Sequence, residues 1–193
     1  MKEKILCLLS SPNKTGNSAT LVDWFILGLD KDKYEVEKIY LYDLNLDYLN
    51  NNYYQFRDEV KEQDLGAQEL FSKIKSVKLI VIATPVWNFS LPAILKNFLD
   101  RSSVIAKVWS KEKNRQVPNW HDKKFYLFFT YGAPKISIPV NILAKLQLIF
   151  TLKYYGAKQK TIATAYNCRS GSKNVLIGRE KLKRKIIRKA KKL

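Results

Sequence analysis

The chain has 193 residues, of which 46% are hydrophobic and 27% charged, the balance of a globular protein with one sizeable buried core. Its formal net charge is +18, and no apolar run reaches the ~18 to 20 residues of a membrane span, which excludes a helical membrane protein. The start, Met1-Lys2-Glu3-Lys4-Ile5, lacks the apolar block and small-residue cleavage site of a signal peptide, so a cytoplasmic location is expected. The cysteines Cys7 and Cys168 stand in no metal-ligand spacing, and Cys7 reads as an inert thiol inside a strand. A single histidine, His121, argues against a histidine metal site and against a Ser-His-Asp triad. No metal is expected.

In chain order, Lys4–Leu9 is a short apolar strand ending in the turn signal Ser10-Ser11-Pro12. Asn17–Leu29 has helix spacing through Leu21, Trp24, Phe25 and Leu29. Glu35–Leu41 reads as a second strand, and 42–64 as a long polar and aromatic loop with a helical turn. Gly66–Lys75 reads as a helix. Val77–Ala83 is nearly continuous aliphatic, as in a central parallel strand covered on both faces. Leu91–Arg101 is the next helix, and Lys107–Lys124 reads as a polar loop. A strand over Phe125–Thr130, a helix over Val140–Tyr155, a strand over Lys160–Ala165 and a closing helix over Gly178–Leu193 complete the pattern.

Five strand-helix units in one chain predict an α/β fold, a doubly wound five-stranded parallel sheet in the order 2-1-3-4-5, as one domain over 1–193. In such sheets a ligand binds beyond the carboxyl ends of the strands, at the switch point between strands 1 and 3. The loops after Leu9 and after Ala83 are therefore the ones to inspect.

The first, Ser10-Ser11-Pro12-Asn13-Lys14-Thr15-Gly16-Asn17-Ser18, is rich in hydroxyls and amides and feeds a helix N-terminus. Free N–H groups and the helix dipole there favour an anion. Ser11, Thr15 and Ser18 can donate to phosphate, and Gly16 permits close backbone approach. The loop matches neither the P-loop nor the three-glycine dinucleotide pattern, and its plainer reading is an N-cap by Asn17 or Ser18. The second, Thr84-Pro85-Val86-Trp87-Asn88-Phe89-Ser90-Leu91-Pro92, is stiffened by two prolines and offers an aromatic pair suited to a flat heteroaromatic ring. Its plainer reading is that Trp87 and Phe89 pack on the neighbouring helix.

Ser10 through Ser18 resembles the phosphate loop of the NAD(P)H-dependent FMN reductase and quinone reductase family of flavodoxin-like proteins. Thr84 through Arg101 is similar to that family's flavin loop and following helix, and the likeness spans roughly residues 4–165. The resemblance implies FMN as cofactor, with Ser11, Thr15, Asn17 and Ser18 on its phosphate. Pro85, Val86, Trp87, Asn88 and Phe89 would line the isoalloxazine, and Thr130, Tyr131 and Gly132 would form a third flavin loop. It implies NADPH or NADH as donor and a small acceptor: a quinone, an azo or nitro compound, or free flavin. No side chain is implied as catalyst, since the chemistry lies on the flavin. Lys96 and Arg101 read as surface or interface charges. A homodimer is implied, with the loop 48–56 closing its acceptor site.

Two departures stand out. Many relatives carry an arginine where this chain has Asn13, which shifts phosphate affinity to Lys14 or to backbone groups, and Trp87 replaces a frequent tyrosine. The cysteine cluster of the iron–sulfur branch is missing from 45–54. A flavodoxin-type electron carrier is the alternative, disfavoured because such carriers are generally acidic. A third reading is a basic module for membrane surfaces or nucleic acid. It rests on 179–193, which carries nine basic residues against Glu180 alone. Lysine dominance disfavours nucleic acid, and the helix there reads first as the last helix of the sheet, with Leu182, Ile186 and Leu193 turned to the core.

Overall fold

The computed structural model describes residues 2–48, 65–135, 138–168, 175–176 and 178–193. Strand β1 (Glu3–Leu9) pairs in parallel with β2 (Tyr34–Tyr40) on one side and β3 (Leu79–Val86) on the other. β3 pairs with β6 (Lys124–Tyr131), and β6 with the edge strand β7 (Lys158–Ala165), again in parallel. The order β2-β1-β3-β6-β7 is the doubly wound arrangement expected, with the switch point between β1 and β3.

Both faces of this sheet are apolar because both are covered. Alternation along β1 sends Leu6 and Leu8 to one side and Ile5, Cys7 and Leu9 to the other. The first side packs against α2 (Leu65–Ser76), α3 (Ala93–Ala106) and α4 (Ile138–Tyr154), through residues such as Leu70, Ile74, Phe98 and Leu148. The second packs against α1 (Asn17–Ile26) and α5 (Glu180–Ala190), through Val22, Phe25, Ile186 and Ala190. The C-terminal helix thus buries its apolar stripe on the core, as the plainer reading had it. Gly28 makes this docking possible: a Cβ there would stand 2.5 Å from the Ile187 carbonyl and 2.8 Å from the Ala190 Cβ. Burial pushes the Cys7 thiol up to about 12, in keeping with an inert core residue.

Three expectations change. α1 ends at Ile26 rather than Leu29, because Gly28 and Leu29 donate to the carbonyls three residues back and tighten the last turn. The stretch 107–124 is not all loop. It carries an antiparallel hairpin, β4 (Lys107–Ser110) and β5 (Arg115–Pro118), closed by Asn114 at φ 45°. Four-residue strands outside the main sheet leave too short an alternation to read. Arg101 is not a surface charge. It is 3% exposed, and its guanidinium donates to the Asp47 carbonyl at 2.7 Å, beside Asn97, which donates to the Leu46 and Asp47 carbonyls. The two side chains clamp the chain after the 3₁₀ turn Leu41–Asp43. Lys96, by contrast, is exposed and pairs with Asp100 one turn along. Tyr48 is exposed, while 49–56, the rest of the expected closing loop, lies outside the described residues. No described helix is long and apolar enough to cross a membrane.

Candidate functional site

The phosphate-loop candidate begins where β1 leaves the sheet, with the Ser10 amide still bonded to the Ala83 carbonyl of β3. Asn13 then organises the turn. Its Oδ1 accepts from the Thr15 amide at 3.0 Å and from the Thr15 hydroxyl at 3.1 Å, while its carbonyl accepts from the Gly16 amide. α1 starts with Gly16 as N-cap and no side-chain cap. The capping alternative therefore does not hold for Asn17 or Ser18. Asn17 Oδ1 accepts from the Val175 amide at 3.1 Å, and the buried Ser18 hydroxyl meets the Thr130 hydroxyl at 3.2 Å. The first turn of α1 thus carries no side-chain cap, and uncapped N–H groups at a helix N-terminus are the arrangement that receives an anion.

The second loop, after β3, is a tight reversal. Trp87 and Ser90 exchange backbone hydrogen bonds of 3.1 and 2.9 Å around Asn88 at φ 48° and Phe89 at φ 64°. Two successive left-handed residues make this a type I′ turn, for which asparagine suits the first position and glycine the second. Phenylalanine at the second position is held against its preference. Both rings are exposed at this turn, Trp87 at 43% and Phe89 at 56%. Substituting Phe89→Gly is expected to raise the thermal midpoint by relieving about 1 kcal/mol of backbone strain. The unliganded melting curve checks this.

The two loops meet in an open cleft of about 240 Å³ at the carboxyl ends of β1, β3 and β6. From the first loop it is lined by Ser11, Pro12, Asn13, Gly16, Asn17 and Ser18. From the second it is lined by Pro85, Val86 and Trp87, and from the end of β6 by Thr130 and Gly132. Cys168, three residues past β7, completes the wall. Of the residues named from sequence, Thr15, Asn88, Phe89 and Tyr131 do not line this cleft. Thr15 faces solvent and holds Asn13. Asn88 and Phe89 form the tip of the turn above Trp87. Tyr131 is buried and stacks on Tyr166 with ring centroids 5.3 Å apart.

The cleft's chemistry is that of neutral donors. Among the described residues no carboxylate lines it. Lys14 does not supply the missing cation, because its ammonium pairs with Asp43 at 2.6 Å and lies over the Tyr40 ring. Burial pushes the Cys168 thiol up, with Arg179 pulling it back. At the root of the first loop, the Ser10 hydroxyl is fully buried and has no hydrogen-bond partner among the described residues. Orphaned buried hydroxyls are costly and call for an explanation. Hydroxyls, amides and an uncapped helix terminus on one side, and a proline–tryptophan wall on the other, fit a phosphate joined to a flat ring. Cys168 and Ser10 escaped the sequence reading. The available signal for Cys168 was its place just beyond the fifth strand of the sheet, and for Ser10 its place at the end of the first.

The family model described as the flavodoxin-like fold matches residues 3–188. An FMN-dependent NADH:quinone oxidoreductase of Metamycoplasma arthritidis is 29% identical over 141 residues, covering 68% of this chain and 70% of that protein. A protein of the same name from Coprothermobacter proteolyticus is 24% identical over 171 residues, 84% of this chain and 85% of that one. Among solved structures, an FMN-dependent NADH-azoreductase from Bacillus anthracis in complex with FMN superposes with a TM-score of 0.71 at 14% identity, over 98% of this chain and 96% of that one. The sheet order, the cleft at its switch point and the extent of the family match together make this chain a member of the flavodoxin-like fold family.

Proposed function

We propose that the chain binds FMN in the cleft between the first and second loops and acts as an oxidoreductase, passing electrons from NADH or NADPH to a small quinone, azo or related acceptor. The observation that carries this reading is the junction itself: an uncapped helix N-terminus and a proline–tryptophan wall share one cleft at the switch point. The names of the relatives support it, since they are FMN-dependent NADH:quinone oxidoreductases.

The α1 N–H groups, with Ser11 and Ser18, hold the phosphate, and the helix dipole meets its charge. Pro85, Val86 and Trp87 present one wall to the ring. Bound FMN supplies the exchange of a hydride from nicotinamide for electrons delivered to the acceptor. The protein's share is orientation and hydrogen bonding; no side-chain acid or base is assigned. Thr130, fixed by Ser18, closes the side toward β6.

A homodimer belongs to the same proposal. Trp87 and Phe89 expose rings beside the cleft, and α4 exposes Leu143, Phe150 and Tyr154. Light scattering in solution is expected to give twice the 22.5 kDa chain mass.

The deciding experiment is the visible spectrum of FMN-supplemented, desalted protein, followed by anaerobic NADH and NADPH. Retained yellow absorbance that bleaches on nicotinamide addition is the expected result. Retained flavin that does not bleach makes the protein an electron carrier instead. A colourless protein overturns the cleft assignment.

A further inference from the structure

The basic surplus is not spread evenly, nor is it neutralised where it is densest. Among the described residues the ion pairs involve Lys14, Lys38, Lys73, Lys96 and Lys123, and none reaches α5. On α5, Ile186 and Ala190 are buried, while Lys181, Arg184, Lys185 and Arg188 form the opposite, exposed stripe at helical spacing.

The stripe continues onto the sheet. Lys160 stands opposite Tyr126, whose ring packs in the core layer beneath α5, so Lys160 lies on the α5 side. Two residues earlier, Lys158 stands directly opposite Lys124 on the same side. Lys189 is drawn in as well, its ammonium donating to the Ile162 carbonyl at 2.6 Å with Lys185 and Lys160 close by. The carboxylates at the margins are few: Glu180 in the first turn of α5, Glu3 near Lys124, and Asp30 across a shallow cleft from Lys191.

Like charges crowded without internal counterions cost stability, and an external polyanion offsets that cost. Its nature follows from what the face lacks. The helix buries its apolar Ile186 and Ala190 in the core, and no exposed aromatic residue stands on α5 or β7 to stack on a base. Lysines, which act as point charges, outnumber arginines along it. We infer that the outer face of α5, with Lys158 and Lys160 of β7, is a docking surface for an anionic lipid bilayer, held by charge alone and without insertion.

The test is co-sedimentation of the full chain with vesicles. Binding is expected to vesicles of about one-third phosphatidylglycerol in phosphatidylcholine at about 0.1 M salt, where charges reach over about 10 Å, and not to phosphatidylcholine alone. It should vanish near 1 M salt, where that reach falls to about 3 Å. The variant Lys181→Gln/Arg184→Gln/Lys185→Gln/Arg188→Gln should bind on the order of 600-fold more weakly, since each charge near such a surface is worth about fivefold. Circular dichroism verifies its fold. A second variant, Lys158→Gln/Lys160→Gln, reads the β7 end of the face independently and should weaken binding by about 25-fold. Equal binding to both vesicle types, no binding to either, or unchanged binding by the variants overturns the inference. Tighter retention on duplex DNA than on the anionic vesicles at the same salt also overturns it, in favour of nucleic acid.

Discussion

Asn17→Asp is expected to weaken FMN binding by about 30- to 1000-fold while leaving riboflavin binding nearly unchanged. Asn17 lines the cleft in the first turn of α1, and its Oδ1 accepts from the Val175 amide. Aspartate is close to isosteric and keeps that acceptor, so the local structure survives. A carboxylate in the first turn also suits the helix dipole, so the apoprotein should gain about 0.5 kcal/mol. The new charge lies where the phosphate is proposed to sit. Two like charges about 4 Å apart repel by about 4 kcal/mol at an effective dielectric constant near 20, and by less with more water between them. Among the described residues no cation lines the cleft to absorb this, Lys14 being paired with Asp43. Riboflavin lacks the phosphate and serves as the internal control. Fluorescence titration with both flavins measures the ratio. Equal losses for FMN and riboflavin would mean that Asn17 contacts the ring or supports the fold; no loss for either would move the phosphate elsewhere.

The largest effect on stability is expected at Trp120, far from the cleft. Trp120→Ala should cost about 3–5 kcal/mol and lower the thermal midpoint by roughly 10–15 °C. The indole is 2% exposed, stacks on Phe125 at 5.4 Å and meets the edge of Tyr155 at 5.2 Å. Its backbone amide donates to the Tyr155 carbonyl, and the Tyr155 hydroxyl donates to the Leu99 carbonyl at 2.7 Å. One ring therefore joins the segment before β6 to α4's C-terminal end and, through Tyr155, to α3. Truncation leaves a cavity that three elements cannot close together. Differential scanning calorimetry measures the loss. A fall of less than about 3 °C would show that Trp120 is replaceable by local collapse.

Trp120 also marks where sequence reading stops. It sits in a stretch that is polar, contains proline and lacks either period, so nothing local announces a core residue. The same holds for Arg101. A cation at the end of an amphipathic helix reads as solvated, and only the return of the chain at Leu46–Asp47 gives its guanidinium a carbonyl to serve. The β4–β5 hairpin and the burial of Lys123, whose ammonium donates to the Lys75 and Val77 carbonyls, are of the same kind.

What the sequence determined by itself is the sheet and the place of the cleft. Continuous apolar runs at β1, β3 and β6 can only be buried on both faces, and their alternation with helical periods leaves little but a doubly wound parallel sheet. Given that sheet, the loops after Leu9 and after β3 must share one end of it, and their hydroxyls and aromatics are read directly from the chain. Tertiary structure alone decided which of those side chains face the cleft. Thr15 turns to Asn13, Lys14 to Asp43 and Tyr131 to Tyr166, while Cys168 reaches the cleft from just beyond β7, a position local pattern does not weigh. The reason is physical: burial of apolar faces depends on period and survives reading one residue at a time, whereas the direction of a loop side chain depends on partners distant in sequence, which only the folded chain brings within hydrogen-bonding reach.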